Sequence, residues 1–323
     1  MRKLPLLLRV ATLLFAISTT AVSGNYPSQP IRIIVPGSAG GVLDINVRKI
    51  SDKLSQSLGQ SVIVDNRSGA NGIIAAELAA KAKPDGYTVL IASNSILCTN
   101  PALYRTLPYH PIKDFLPVTL AARGSPLLLV NTQFPTKTFS DFVAYAKAHP
   151  GQLMYGSPGV GSNQHLAGEL LQQLIGIQMI HVPYKNQPDV LTDLIGGRIQ
   201  VTIEFASVSV PHVKAGKLRA LVVAGPNRKP VLPDVPTAAE LGLANFEVIG
   251  WNGYLVPAGT PSEIVARLHR EIVAAVKAPE FTDYVASLGS ETVGSTPTEF
   301  AALIRTELDH WAKVVKVSGA RAE

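Results

Sequence analysis

Apolar, strand-like runs alternate with helical patterns along most of this chain, and that alternation restricts the fold more than any other feature. The runs are Ile31 to Val35, Val62 to Asp65, Thr88 to Ala92, Leu127 to Asn131, Leu153 to Tyr155, Met179 to Val182, Ile199 to Glu204 and Arg219 to Ala224. Strands that return through helices pair mostly in parallel and need helices on both faces, so the expected class is α/β with mostly parallel sheets. A chain of 323 residues with 46% hydrophobic content can bury two ordinary cores. Leu120 to Pro126 and Leu243 to Gly250 read as two crossings between them. The expected lobes are residues 24–124 plus 248–323 and residues 125–247, joined by a hinge.

Each half carries one glycine-rich turn between an apolar run and a helix. The first is Val35-Pro36-Gly37-Ser38-Ala39-Gly40-Gly41-Val42-Leu43-Asp44, and the second is Tyr155-Gly156-Ser157-Pro158-Gly159-Val160-Gly161-Ser162-Asn163-Gln164-His165. Glycines let ligand atoms approach main-chain N–H groups, and the first turn of the following helix adds unpaired donors and the positive end of its dipole. Two such sites in separate halves suit a small anion held in a cleft between lobes.

The N-terminus reads as an export signal. Arg2, Lys3 and Arg9 precede the apolar core Val10 to Ser18, and Ala21-Val22-Ser23 is a small-x-small cleavage site. That core is shorter than the roughly 20 apolar residues a bilayer requires. The expected location is therefore the periplasm, after cleavage of residues 1–23. Loss of the signal lowers the net charge from +6 to +3, with 26 basic against 23 acidic residues. With no run of five basic residues and only 6% aromatics, nothing resembles a nucleic-acid footprint. Cys98, the sole cysteine, excludes an intramolecular disulfide and reads as a small buried hydrophobe.

Enzyme signatures are missing from the sequence. The first turn fails the G-x-G-x-x-G spacing of a dinucleotide site, and no Gly-x-Ser-x-Gly elbow is present. No cofactor and no metal are expected: His165 and Glu169 at i,i+4 spacing could suggest half a metal site, but no His-x-x-x-His pair or cysteine cluster supports one. Near the C-terminus, Thr260-Pro261-Ser262-Glu263 and Thr296-Pro297-Thr298-Glu299 both spell a capping box. After the second, Phe300, Leu303, Ile304, Leu308, Trp311, Val314 and Val315 mark the buried face of a long last helix.

Many short motifs add up to a family likeness. Tyr26-Pro27-Ser28-Gln29-Pro30-Ile31-Arg32, Asn66-Arg67-Ser68-Gly69-Ala70-Asn71-Gly72, Pro84-Asp85-Gly86-Tyr87-Thr88, Asn100-Pro101-Ala102-Leu103-Tyr104, His165-Leu166-Ala167-Gly168-Glu169, His181-Val182-Pro183-Tyr184-Lys185, Leu194-Ile195-Gly196-Gly197 and Leu232-Pro233-Asp234-Val235-Pro236-Thr237 occur in order. With the first glycine turn, they resemble the extracytoplasmic solute-binding components of tripartite tricarboxylate transporters, the Bug-type family. The resemblance implies a two-lobed periplasmic binding protein of the type II arrangement that delivers a small carboxylate to membrane transporter subunits. A membrane sensor is the alternative partner, and a monomer is the default state. The resemblance also implies that main-chain N–H groups, hydroxyls and ordered waters hold the carboxylate.

The expected ligand contacts follow from the turns and the resemblance together. In the first lobe they are Gly37, Ser38, Ala39, Gly40, Gly41 and Asp44, with Ser93, Asn94 and Ser95 at the carboxyl end of a strand. In the second they are Gly159, Gly161, Ser162, Asn163, His165, Tyr184 and Glu204. This chain has Gly37 where the family often carries an aromatic, Ser162-Asn163-Gln164 where Thr-Thr-Ser is common, and Glu204 where aspartate is frequent. Several roles stay open. Asp44 is a helix-start cap or a contact to ligand or water, and Ser93 to Ser95 are ligand contacts or a turn. His165 is a helix-start hydrogen-bonding residue or a ligand contact, and Tyr184 faces the cleft or packs. Glu204 braces loop amides or selects a ligand that carries a donor.

Overall fold

The computed structural model describes residues 26–318 except residue 244, so the expected export signal lies outside the described residues. The chain begins with β1 (Ile31–Val35), α1 (Val42–Leu58), β2 (Val62–Asn66), α2 (Ile73–Ala80), β3 (Thr88–Ser93), a π-helical turn (Ser95–Thr99), α3 (Asn100–Leu103) and β4 (Phe115–Gly124). It continues with β5 (Pro126–Asn131), α4 (Phe139–Ala148), β6 (Leu153–Ser157), α5 (Asn163–Ile175), β7 (Met179–Pro183), α6 (Gln187–Ile195), β8 (Val201–Phe205), α7 (Ala206–Lys214) and β9 (Leu218–Val223). It ends with β10 (Gly250–Pro257), α8 (Ser262–Val276), α9 (Pro279–Ser287), β11 (Glu291–Thr292) and α10 (Pro297–Ser318).

Two sheets result, ordered β11-β4-β10-β3-β1-β2 and β7-β6-β8-β5-β9. The fold is α/β and two-lobed, with helices flanking both sheets. Pairing is mixed rather than mostly parallel, which corrects the expectation. β1 runs parallel to β2 and β3, but β10 is antiparallel to β3 and β4, and β11 to β4. In the second sheet β6 is parallel to β7 and β8, while β5 is antiparallel to β8 and β9. The cause is the path of the chain. Parallel neighbours need a crossover above their own sheet. β10 instead arrives from the second sheet and inserts between β3 and β4, and β5 enters directly from β4. Leu120–Gly124, expected as a crossing, is the last half of β4, and Ser125 alone separates it from β5.

Three apolar clusters hold these layers. One packs α1, α8 and α9 on a face of the first sheet through Ile50, Leu54, Leu268, Ile272 and Phe281. Another packs α6 and α7 on the second sheet through Val190, Leu194 and Val210. The third is continuous between the sheets, joining Ile34 and Leu90 to Leu128 and Ile203 through Leu166 of α5 and Phe300, Ile304 and Trp311 of α10. Cys98 lies in this cluster, fully buried, with its thiol donating to the Ile304 carbonyl at 3.7 Å. Burial, and then the nearby Glu307 charge, push the thiol well above its ordinary pKa.

The two capping signatures part ways. At α10 the box forms: Thr296 Oγ1 accepts from the Glu299 amide at 3.2 Å, and Glu299 Oε2 accepts from the Thr296 amide at 2.9 Å. At α8 it does not, because the Thr260 hydroxyl is buried and donates to the Pro257 carbonyl at 2.7 Å instead, leaving the helix to start at Ser262 after Pro261. Thr296→Ala should therefore lower stability by about 1 kcal/mol in urea denaturation, the usual cost of losing a helix cap. No loss would show that the box at α10 contributes nothing net.

Candidate functional site

A cleft of roughly 930 Å³, counting its open mouth, lies between the two sheets and takes its walls from both. Residues at the starts of four helices line it: Val42 and Leu43 of α1, Asn163 and Gln164 of α5, Gln187 of α6 and Ser207 of α7. The first amides of a helix have no acceptor within it, and the aligned peptide dipoles place partial positive charge there. Ser162 and Asn186 already accept one first-turn amide each at α5 and α6, and Pro188 has none to give, so the remaining first amides and the four helix dipoles are what the cleft offers an anion without a cationic side chain. Arg123 is the one charged residue among the described residues lining the cleft, and it is ion-paired with Glu291. Phe205, Trp251, Val285 and Leu288 supply apolar wall.

The glycine turns shape these helix starts more than they present donors themselves. In the first, the Gly37 amide donates to the Val35 carbonyl at 2.9 Å and the Gly41 amide to the Ser38 carbonyl at 3.1 Å. The Gly40 amide donates to Asp44 Oδ2 at 2.8 Å, where Gly40 has φ +80°. Asp44 also accepts from Arg48 Nε at 2.9 Å. Burial works against its charge, but Arg48 and the Gly40 amide hold its carboxyl below the usual range. Asp44 is thus a brace of the turn. Ser38 and Ala39 are exposed, and Gly40 and Gly41 line an adjoining hollow rather than the main cleft.

The second turn is closed in a similar way. The Gly159 amide donates to Ser157 Oγ at 3.2 Å, and the Gly161 amide to His165 Nδ1 at 3.0 Å. A Cβ on Gly161 would sit 1.8 Å from Leu103, so this glycine packs closely against the first lobe, and it is not among the residues lining the cleft. Ser162 caps α5 by accepting from the His165 amide at 3.2 Å. His165 stacks on His181 with ring centroids 4.1 Å apart, and burial lowers the pKa of both, that of His181 to about 3 with help from His165. Tyr184 donates to Asp193 Oδ2 at 2.9 Å and does not line the cleft.

Of the expected contacts, the structure brings Ser93, Asn94, Ser95 and Asn163 to the cleft. Asn163 Nδ2 donates to Asn94 Oδ1 at 2.7 Å, and Asn94 Nδ2 donates to the Ile249 carbonyl at 3.2 Å. These amides tie the lobes together at the cleft. Glu204 lies just behind, 0% exposed, accepting from Gln164 Nε2 at 3.0 Å and from the Phe205 amide at 2.6 Å. Burial pushes its pKa up to about 7 against the pull of Gln164, the Phe205 amide and Gln187. The geometry favours the bracing role: Glu204 turns the Gln164 amide donor inward, so that the Gln164 carbonyl is the atom left for the cleft.

Sequence reasoning missed Arg123, Gln187, Phe205, Ser207, Ser290 and the segment Gly250-Trp251-Asn252. Trp251 is the most informative of them. It is 4% exposed, its ring meets Phe300 edge-on at 5.3 Å, and its Nε1 makes no hydrogen bond among the described residues. One of only two tryptophans in a chain with few aromatics, placed beside a glycine, was the available signal. Among the described residues no group of three or more His, Cys, Asp or Glu could hold a metal, and no helix is long and apolar enough to cross a membrane.

Residues 46–320 match the family described as the tripartite tricarboxylate transporter family receptor. The UPF0065 protein in the tcbD-tcbE intergenic region of Pseudomonas sp. (strain P51) is 38% identical over 90% of this chain and 86% of its own. An R. palustris protein solved with adipate superposes with a TM-score of 0.86 at 37% identity, covering 92% of this chain and 99% of that one. MatC from Rhodopseudomonas palustris, solved with bound malate, superposes with a TM-score of 0.83 at 33% identity, covering 90% of this chain and all of the other.

The buried carboxyl of Glu204 generates a pH prediction. Between its ordinary value of 4.5 and about 7, the folded protein keeps a proton that the unfolded chain has released. The contribution of this group to stability is full below 4.5 and falls as pH rises through that window. Glu204→Gln removes the dependence, so the variant should gain on the wild type as pH rises from 4.5 to 7 in urea denaturation. A difference that stays constant with pH would mean that Glu204 ionises at its ordinary value.

Proposed function

Because the chain belongs to the tripartite tricarboxylate transporter receptor family, we propose that it is a periplasmic receptor that captures a small carboxylate between its lobes and delivers it to membrane transporter subunits. The observation that carries this reading is the convergence of four helix starts, from α1, α5, α6 and α7, on one cleft that has a single, already paired cationic side chain. Main-chain donors and helix dipoles suit a carboxylate. The adipate and malate bound to the similar structures are carboxylates. The carboxylate head sits against these helix starts, and ordered water completes contacts that the donors do not reach directly.

In this reading the lobes are residues 24–124 with 248–323 and residues 125–247, and residues 1–23 direct export. Closure follows from where the donors stand. α1 belongs to the first lobe and α5, α6 and α7 to the second, so a ligand that touches both sets binds the closed form more tightly and shifts the population toward it. Trp251 Nε1, which makes no hydrogen bond among the described residues, is assigned as a donor to the carboxylate.

Two measurements test this. In a thermal-shift screen of protein refolded free of solute, a small mono-, di- or tricarboxylate at about 100 times its Kd should stabilise the fold by roughly 2.7 kcal/mol. The corresponding methyl esters should not. Failure of every carboxylate would refute the reading. In calorimetry with a hit from that screen, Trp251→Phe should weaken binding about tenfold, since a hydrogen bond to a charged group contributes about 1.5 kcal/mol or more. Because Phe keeps the packing on Phe300, Tm without ligand should hold; unchanged affinity would remove Trp251 from the site.

A further inference from the structure

The main cleft does not end at its own walls. Val42, Gln187, Ser207 and Leu288 also line a second hollow of roughly 1010 Å³, counting its mouth, between the start of α1 and helices α6, α7 and α9. The four shared residues form a waist. Beyond it the lining changes character. Ile45, Leu191, Ile195, Val208 and Tyr284 face the outer hollow, and His212 is the one basic side chain among the described residues lining it, with no Lys, Arg, Asp or Glu. The starts of α1, α6 and α7 border both compartments and that of α5 only the inner one; what distinguishes the outer compartment is the apolar surface it offers on both lobes.

We propose that the outer hollow is a subsite for the apolar tail of an elongated carboxylate, whose charged head occupies the inner cleft and whose chain passes the waist of Val42, Gln187, Ser207 and Leu288. This rests on the carboxylate reading of the inner cleft and specifies its ligand class. A short ligand leaves the half-buried Ile45, Ile195 and Val208 against water. A tail laid along them moves apolar surface of both partners out of water, which is favourable in proportion to the area removed. An uncharged tail matches a hollow without Lys or Arg, because a second carboxylate there would lose hydration with His212 as its sole basic neighbour among the described lining residues. The same tail touches α1 and α9 on one side and α6 and α7 on the other, so it favours the closed form along with the head.

The test is calorimetry of the purified protein with straight-chain monocarboxylates from four to ten carbons. Affinity should rise about fourfold for each methylene that passes the waist, corresponding to about 0.8 kcal/mol per buried methylene, and level off once the tail reaches open water. Thr192→Trp, which fills the outer hollow from an exposed position on α6, should abolish this dependence while leaving butanoate affinity unchanged. Val208→Asp, which places a charge in the hollow, should do the same, so misfolding of one variant does not blunt the test. Butanoate binding with no gain on lengthening overturns the proposal and leaves the carboxylate reading standing, as does a length dependence that both folded variants retain. If no chain length binds but small polycarboxylates do, the tail subsite is likewise refuted; if no carboxylate of any kind binds, both readings fall.

Discussion

Main-chain N–H groups at a helix start have to meet an acceptor, and four helices in this protein turn that requirement toward one cleft. Positive ends gathered in one place repel each other and leave donors exposed, an arrangement with a cost unless an anion or water oxygen compensates it. The surrounding side chains keep that cost from growing. Arg123 is paired with Glu291, Arg48 with Asp44, and the remaining polar lining is amide and hydroxyl. In the proposed reading, recognition of charge falls to the backbone, which substitutions change little. The walls made by Phe205, Trp251, Val285 and Leu288 are left to set size and shape.

A backbone site is only as well defined as the turns that aim it. Asp44 receives the Gly40 amide and the Arg48 guanidinium in one turn, so the approach to α1 is fixed by a buried charge with satisfied partners. On the other side, His165 accepts from the Gly161 amide and lies in a stack with His181 and Tyr155. Two imidazoles 4.1 Å apart resist carrying charge together, and burial disfavours the charged form of both, which favours the bare Nδ1 that accepts from Gly161. Glu204 does comparable work behind α5, holding Gln164 and the amide of Phe205 from a fully buried position.

The eight runs read from the sequence coincide with β1 to β3 and β5 to β9, and the clearest of them, β1, β3 and β5, are nearly continuous apolar runs. β4 and β10 escaped notice because they carry turn-forming residues inside them. β4 contains Pro117 and β10 contains Asn252 and Gly253, and their pairing shifts register at Asn252/Gly253 and again at Tyr254/Leu255. Gly253 is required there, since a Cβ would fall 2.4 Å from the ring of Phe300. No local pattern reveals a ring that arrives from α10. The site was legible to the same degree. The glycine turns lead into α1 and α5, but the residues of those helices that line the cleft stand at or just beyond the ends of the turns, at Val42, Leu43, Asn163 and Gln164. Trp251 reaches the cleft through β10 inserting into the middle of the first sheet and Ser290 from the turn that leads into the edge strand β11, and only the topology shows that.

Cys98 matters for what it leaves free. The one thiol of the chain is fully enclosed in the core between the sheets, bonded to the carbonyl of Ile304 and too desolvated to ionise readily. Maleimide and iodoacetamide dyes need a thiolate in solvent, so they pass over the native protein. A cysteine introduced at the rim of either lobe becomes the sole reactive position without prior removal of another. The fold is thus already a single-attachment scaffold, ready to carry one environment-sensitive fluorophore at the lip of the cleft and to turn solute capture into an optical signal.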